Sequence, residues 1–318
     1  MSKPSLKLKA LLIDLNGTLH VGSDPTNNAV KAIERLRKSK IPFIFCSNST
    51  KESSAHLLSS LNEIEFRADK EELMTSLSAC KEFVRDRGYK RPYLLMSDSA
   101  KQEFASPSSS SASSPSSSPN SVDQPYDSVI LGLHPPSLTY DNLNIAFRIL
   151  KQEPIDIAST SSQSGHDYGS SAKTKKPILI APHRSLYQQS ASSDQLPEGL
   201  SLGIGLFVTL LEEAGGVRAE IVGKPTKRFF ELAIERLRRN ADFNDGLEGD
   251  GELEYKDVGM IGDDISNDLG EGAKELGLTR ILVKTGKYRP GSEKSEHPPD
   301  HAYENFAKCV DDLLDHRE

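Results

Sequence analysis

Short apolar runs alternate with amphipathic stretches at both ends of the chain, and this alternation restricts the possible folds more than any other feature. Buried strands are predicted at residues 9–13, 41–46, 219–222, 258–261 and 280–283. Helices are predicted at residues 28–40, 49 to about 62, 226–239, in the stretch that ends at 276, and at 303–316. Repeated strand–helix units imply a parallel sheet covered by helices on both faces. The sequence therefore predicts an α/β fold with a doubly wound parallel sheet.

Serine-rich segments lie only in the middle of the chain. In residues 106–121, 11 of 16 positions are serine and three are proline. Such a composition buries almost no apolar surface, so disordered loops are predicted at about 105–123, 159–176 and 188–198. The simplest organisation is one compact body built from both chain ends, with an inserted middle domain. An acidic, glycine-rich stretch at 240–254 is interpreted as a solvated insertion.

Charge and cysteine content exclude several classes of protein. The net charge is −7 and no long basic stretch occurs, so no nucleic-acid partner is expected. The longest uncharged apolar run has 12 residues, at 200–211, whereas a membrane span needs roughly 20. Three widely spaced cysteines favour a reducing compartment. We expect a cytoplasmic protein without a membrane partner, although no signal distinguishes the cytoplasm from the nucleus.

Polar residues follow four of the predicted strands at the point where each strand ends. Asp14 and Asn16 follow the first strand, and Ser47 with Asn48 follows the second. Lys224 comes after the strand at 219–222. The strand at 258–261 leads into Asp263 and Asp264, with Asp268 one helical turn further on. Ligands of such sheets bind beyond the carboxyl ends of the strands, so these groups converge if the strands are neighbours.

The set of groups suits a phosphate held beside a hard divalent cation. Mg²⁺ prefers oxygen ligands, which the carboxylates of Asp14 and Asp263 and the main-chain carbonyl of Asn16 would supply. Asp14 would then attack phosphorus and form an aspartyl-phosphate. Ser47, Asn48 and Lys224 would donate hydrogen bonds to the phosphoryl oxygens as charge is redistributed.

Each residue also has an ordinary structural interpretation. Asp14 alone is typical of a turn, and Ser47 with Asn48 is typical of a helix cap. Lys224 alone is most often a solvated lysine, and Asp263 with Asp264 favours a helix N-terminus. The catalytic interpretation rests on the occurrence of all four groups, in order, at strand ends.

With these residues in view, the chain resembles the haloacid dehalogenase superfamily of hydrolases, in its NagD-like branch with a large α/β cap. The resemblance covers residues 12–52 and 208–287, and residues 132–150 and 283–288 are also similar. It implies a Rossmann-like parallel sheet core formed by residues 1–74 and 203–318. Residues 75–202 would form the inserted cap domain, which would close over the site and select the substrate.

The resemblance also implies a role for each matching residue. Asp14 would be the nucleophile and a Mg²⁺ ligand, Asn16 a ligand through its main-chain oxygen, and Asp263 the remaining ligand. Ser47, Asn48 and Lys224 would contact the phosphate of a small phosphorylated substrate. Asp268 would be the supporting carboxylate of the family's fourth motif, which begins at Asp263. Asp264 would support the metal ligands without binding the metal itself. A homodimer paired through the cap is expected on the same ground.

Asn16 departs from the pattern of the family. Most phosphatases of this superfamily carry an aspartate there, which protonates the leaving group and then activates water, whereas an amide does neither. The departure favours substrates whose leaving groups need little protonation, such as pyrophosphate or a phosphoramidate. Two functions stay open: a Mg²⁺-dependent phosphatase, and a weakly active or inactive phosphate-binding protein with a regulatory or interaction role. A true dehalogenase fits the acidic fourth motif less well.

Overall fold

A computed structural model describes residues 6–105, 125–155, 176–190, 196–197, 199–240 and 253–315. Most of the three predicted disordered loops and of the acidic insertion lie outside these residues. Residues 188–190 are an exception, because they end the strand Tyr187–Ser190. For these three residues the prediction of disorder is wrong.

The described strands fall into two parallel sheets and two antiparallel pairs. In chain order they are β1 Ala10–Asp14, β2 His20–Val21, β3 Asp24–Pro25, β4 Phe43–Ser47, β5 Leu73–Thr75, β6 Pro92–Leu95, β7 Ser128–Leu131, β8 Ile178–Ala181, β9 Tyr187–Ser190, β10 Gly199–Leu202, β11 Glu220–Ile221, β12 Val258–Gly262, β13 Thr279–Val283 and β14 His301–Tyr303.

The helices connect these strands and cover the sheets. They are Ala29–Lys38, Ser54–Glu63, Ser76–Asp86, Asp98–Lys101, Tyr140–Lys151, Gly205–Gly215, Lys227–Arg239, Glu271–Leu276 and Phe306–Leu314. Together with the parallel sheets they confirm the predicted α/β fold class.

The larger sheet has six parallel strands in the order β14-β13-β12-β1-β4-β5. All five residues of β1 are buried, and its apolar residues alternate between two clusters on opposite faces. Leu12 joins one cluster, and Leu11 and Ile13 join the other. A strand buried on both faces reads as a continuous apolar run, which is why the sequence pattern locates β1 and β12 closely.

The smaller sheet has four parallel strands in the order β11-β8-β7-β6. Its β7 residues Val129 and Leu131 face a cluster that includes residues of the helices Tyr140–Lys151 and Gly205–Gly215. Ile130, between them, joins a cluster that contains residues of the six-stranded sheet. The two sheets therefore share one stretch of apolar packing.

The strand predicted at 219–222, within the predicted core residues 203–318, does not join the six-stranded sheet. β11 pairs with β8 of the smaller sheet and not with the core strands. The division into core and cap stays a prediction, but a boundary at 202/203 does not match the sheets, because the chain remains with the smaller sheet until Ile221. Both sheets are built from strand–helix units, so local pattern does not tell which sheet a strand joins.

Three predicted helix bounds differ from the structure. The helix predicted from residue 49 begins only at Ser54, because Ser53 is its N-cap and the Ser53 hydroxyl accepts from the His56 N–H at 3.3 Å. The helix that ends before Gly277 begins only at Glu271. The helix predicted at 303–316 begins only at Phe306, because Tyr303 is the last residue of β14 and Asn305 caps the helix.

Candidate active site

Asp14 ends the central strand of the six-stranded sheet and is 6% exposed. The chain turns sharply after it, with Gly17 at φ +98° and the Gly17 N–H donating to the His20 carbonyl at 2.7 Å. This turn places the Thr18 hydroxyl 3.0 Å from Oδ2 of Asp14, to which it donates. Asn16 lies at the exposed tip of the same turn. Its proposed ligand role through the main chain stays a prediction.

Lys224 lies against Asp14 although the two residues are 210 positions apart. Its Nζ donates to Oδ1 of Asp14 at 2.5 Å, to Oδ1 of Asp268 at 2.7 Å and to the Cys46 carbonyl at 3.0 Å. Burial alone would lower the pKa of Lys224, but the charges of Asp14 and Asp268 outweigh it and raise the pKa above its ordinary value. Lys224 is therefore charged, and its side chain is only 1% exposed.

Ser47 ends β4, the neighbour of β1, and Asn48 follows it. The two residues have different partners. The Nδ2 of Asn48 donates to the Lys224 carbonyl at 2.9 Å, and its Oδ1 accepts from the Lys224 N–H at 3.0 Å. Asn48 therefore holds the main chain of Lys224, and its contact with a phosphate stays a prediction. Ser47 is 4% exposed, and its Oγ accepts from the Ser49 N–H at 3.1 Å. The hydroxyl proton of Ser47 remains available for a phosphoryl oxygen.

Asp263 follows β12, the other neighbour of β1, and is 3% exposed. Its Oδ2 accepts from the Lys287 main-chain N–H at 2.6 Å. Burial, together with the charges of Asp14 and Asp268, raises the pKa of Asp263 well above its ordinary value. A Cβ atom at Gly17 would lie 2.1 Å from this Oδ2, so a side chain at position 17 would displace the carboxylate.

Asp268 and Asp264 have different surroundings. Asp268 uses Oδ1 for Lys224, and its Oδ2 accepts from the Asp264 N–H at 3.1 Å. Burial and the charge of Asp14 raise the pKa of Asp268 to about 6. Oδ1 of Asp264 accepts from the N–H groups of Ser266 and Asn267 at 3.0 Å each, so Asp264 shapes the turn after β12.

Carboxylate oxygens of Asp14, Asp263 and Asp268 lie within 4.8 Å of one another. Both oxygens of Asp268 and both oxygens of Asp14 already accept hydrogen bonds from protein groups, so these contacts do not distinguish the metal ligands. The roles of Asp14 and Asp263 as ligands stay predictions. Counting Asp264, four carboxylates and the two ammonium groups of Lys224 and Lys287 give a formal net charge of about −2 when every group is ionised. The raised pKa of Asp263 is the expected effect of this excess of negative charge. Oxygen donors with this net charge fit a hard divalent cation.

Sequence reasoning missed three residues of this site. Thr18 carries no signal beyond its closeness to Asp14. Lys287 lies in the segment 283–288, whose similarity to the family assigns no role to any of its residues. His183 follows β8 of the smaller sheet, and no spacing to another ligand distinguishes it.

His183, which follows β8 of the smaller sheet, lies at the site with a neutral side chain. The residue is 8% exposed, and its Nδ1 accepts from the Ser185 N–H at 3.2 Å. Burial and the positive charges of Lys287 and Lys224 lower the pKa of His183 from 6.5 to about 4. The His183 ring also forms a hydrogen bond with the main chain of Asn48. His183 therefore lies beside the loop whose Asn48 side chain binds the main chain of Lys224.

His183 is expected to make the fold sensitive to mild acid. Its pKa is lower in the folded state, so its contribution to stability is complete above pH 6.5 and is lost as the pH falls from 6.5 towards 4. The difference between these two pKa values corresponds to about 3 kcal/mol. We expect His183→Gln to lose that much less unfolding free energy between pH 7 and pH 4, measured by urea titration. His297→Gln is the matched control, because His297 is exposed. If the unfolding free energy changes equally with pH in both variants, the prediction is contradicted.

Two family models match the ends of the chain. A model described as haloacid dehalogenase-like hydrolase matches residues 11–107, and one described as HAD-hydrolase-like matches residues 221–309. Among the described residues, no helix is long and apolar enough to cross a membrane.

Curated relatives match over nearly the whole chain. Haloacid dehalogenase-like hydrolase domain-containing protein 2 from Mus musculus is 35% identical over 97% of this chain and 97% of its own length. Phospholysine phosphohistidine inorganic pyrophosphate phosphatase from Homo sapiens is 29% identical over 98% of this chain and 96% of its own.

Solved structures show the same fold. A 4-nitrophenylphosphatase from Thermotoga maritima superposes with a TM-score of 0.70 at 19% identity, over 96% of this chain and 98% of its own. NagD from E. coli K-12 superposes with a TM-score of 0.66 at 16% identity, over 95% of this chain and 98% of its own. These similarities agree with the NagD-like arrangement expected from the sequence.

Proposed function

Because the chain belongs to the haloacid dehalogenase-like hydrolases, we propose that it is a Mg²⁺-dependent phosphatase that forms an aspartyl-phosphate on Asp14. The observation that carries the proposal is the buried cluster of Asp14, Lys224, Asp263 and Asp268 at the carboxyl end of the sheet. A bound divalent cation would be held by Asp14 and Asp263 and would neutralise phosphate charge. The net charge of about −2 in this cluster supports that assignment.

The residues of the chain divide the reaction between them. A carboxylate oxygen of Asp14 attacks phosphorus while the bond from phosphorus to the leaving group breaks, and the leaving group takes the electron pair. Water then attacks the phosphorus of the aspartyl-phosphate, which releases inorganic phosphate and regenerates Asp14. Lys224 and Thr18 orient Asp14, since each donates to one of its carboxylate oxygens. Ser47 would donate to a phosphoryl oxygen.

The substrate is proposed to be a small phosphorylated compound whose leaving group needs little protonation. Asn16 stands where an aspartate would donate that proton, and an amide does not. Pyrophosphate and phosphoramidates meet the requirement, and one relative is named for phospholysine, phosphohistidine and pyrophosphate.

The test is hydrolysis by the purified full-length chain of p-nitrophenyl phosphate and pyrophosphate, with and without Mg²⁺. We expect turnover that requires Mg²⁺ and is lost on chelation. Saturable phosphate binding without turnover on any phosphorylated compound of a metabolite panel would favour the second candidate, a weakly active phosphate-binding protein. That candidate is favoured by one observation, the amide at position 16.

Asn16→Asp is expected to change turnover according to the leaving group. A carboxylic acid at this position would protonate poor leaving groups, so hydrolysis of an alkyl or sugar phosphate should rise by about 10²-fold. Pyrophosphate and p-nitrophenyl phosphate should gain much less, because their leaving groups depart as stable anions. kcat/KM on the three substrates measures the difference. Equal gains on all of them would contradict the explanation.

Homodimer formation through the cap stays a proposal. The antiparallel pair β9–β10 carries Tyr187, Leu200 and Leu202 on one face, each more than half exposed. Leu206 and Leu210 of the adjoining helix are also about half exposed. This apolar surface is suited to pairing with a second copy.

A further inference from the structure

Lys224 has no N–H left for a substrate. An ammonium group has three donors, and those of Lys224 are taken by Asp14, Asp268 and the Cys46 carbonyl. Its side chain is only 1% exposed. In this geometry Lys224 orders the carboxylates. The proposed divalent cation would neutralise the transferred phosphoryl group, so any further negative charge on the substrate needs another cation.

Lys287 has donors to spare at the same site. Its Nζ makes one hydrogen bond to another described residue, to Oδ2 of Asp264 at 3.2 Å, so two of its three N–H groups are uncommitted. Its side chain is 28% exposed, compared with 1% for Lys224. An ammonium group is charged at neutral pH, and that of Lys287 pairs with Asp264, the residue next to the proposed metal ligand Asp263.

The main chain holds Lys287 in place independently of its side chain. The Lys287 N–H donates to Oδ2 of Asp263 at 2.6 Å, and the preceding Gly286 has φ +53° and approaches Asp263 closely. A substitution at position 287 keeps this main-chain donor. The effect of removing the ammonium can therefore be separated from the effect of displacing Asp263.

We propose that Lys287 binds the leaving-group half of the substrate and that this half is a second phosphoryl group, so that the enzyme selects phosphoanhydrides such as inorganic pyrophosphate. This inference rests on the proposed phosphatase function and names its substrate class. Asp14 forms the new bond to one phosphorus, the bridging P–O bond breaks, and the bridging oxygen leaves with its electron pair on the second phosphate. The ammonium of Lys287 stabilises the charge that develops there. The leaving phosphate needs no proton from position 16, which agrees with the amide of Asn16.

The test compares Lys287→Met and Lys287→Arg on pyrophosphate and on p-nitrophenyl phosphate. Loss of a charged hydrogen bond to the substrate should lower kcat/KM for pyrophosphate by about 10–100-fold in the methionine variant. The nitrophenyl substrate, which lacks a second phosphoryl group, should lose less than about 3-fold, and arginine should restore most of the pyrophosphate activity. Lys284→Met is the matched control, because Lys284 lies on the same segment and pairs with the exposed Glu304.

Two further results separate the possible causes. If Lys287 only neutralises Asp264, the double variant Lys287→Met/Asp264→Asn should recover pyrophosphate activity, and such recovery would overturn the proposal. Equal losses on both substrates, or no loss on either, would also overturn it. If the unaltered chain hydrolyses neither these two substrates nor any phosphorylated compound of the metabolite panel, the phosphatase function fails instead. Calorimetric binding of pyrophosphate to the same variants then decides the role of Lys287, and unchanged affinity in Lys287→Met would refute it.

Discussion

Asp14→Asn is expected to lower turnover by at least about 10³-fold on every phosphorylated substrate, because the amide is not a nucleophile towards phosphorus. The fold should tolerate the change. The amide oxygen can still accept from Lys224, and loss of one negative charge relieves the repulsion that raises the pKa values of Asp263 and Asp268. We expect the unfolding free energy without metal to change by less than about 1 kcal/mol.

Steady-state kinetics and urea unfolding of the same preparation check both parts of this prediction. Rapid acid quenching followed by mass analysis should detect a phosphorylated protein with the unaltered chain and none with Asp14→Asn. Thr26→Ala is a matched control, because Thr26 donates to main-chain carbonyls near the same turn and does not contact Asp14. Retention of more than a tenth of the activity by Asp14→Asn would exclude Asp14 as the nucleophile.

Lys224→Met is expected to have the largest effect on stability. It removes the only ammonium that contacts both Asp14 and Asp268 among the described residues and leaves two buried carboxylates without a cation. Breaking a buried ion pair in this way costs about 3–5 kcal/mol of unfolding free energy at neutral pH. Activity should also fall, because Asp14 loses the group that orients it.

Urea unfolding at pH 7.5 and pH 5 tests the electrostatic origin of this loss. The cost should be smaller at pH 5, since carboxylates protonate more readily once Lys224 is gone. The double variant Lys224→Met/Asp268→Asn should recover part of the stability at pH 7.5. Lys284→Met, which removes a partly exposed lysine paired with the exposed Glu304, should cost less than about 1 kcal/mol. A loss below about 1 kcal/mol for Lys224→Met would show that the buried pairs contribute little.

Much of the six-stranded sheet could be predicted because its strands are buried on both faces. β1, β4, β12 and β13 appear as continuous apolar runs between helical stretches, and the structure has them within two residues of the predicted positions. Weaker patterns failed where tertiary contacts decided the result. The helix after β4 starts late because residues 48–53 turn towards the smaller sheet, where the Thr50 hydroxyl accepts from the Leu133 N–H at 2.9 Å.

The sequence by itself determined which chemical groups stand at the ends of the strands, because a strand–helix repeat directs the carboxyl ends of parallel strands to one edge. It predicted Asp14, Ser47 and Asp263 at the carboxyl ends of β1, β4 and β12, which are neighbours in the sheet. Only the tertiary structure decided that β11 joins the other sheet, and that Lys224 nevertheless reaches Asp14 and uses all its donors there. Only the tertiary structure placed Lys287 and His183 at the site. These contacts depend on distances between segments far apart in the chain, and local periodicity carries no information about such distances.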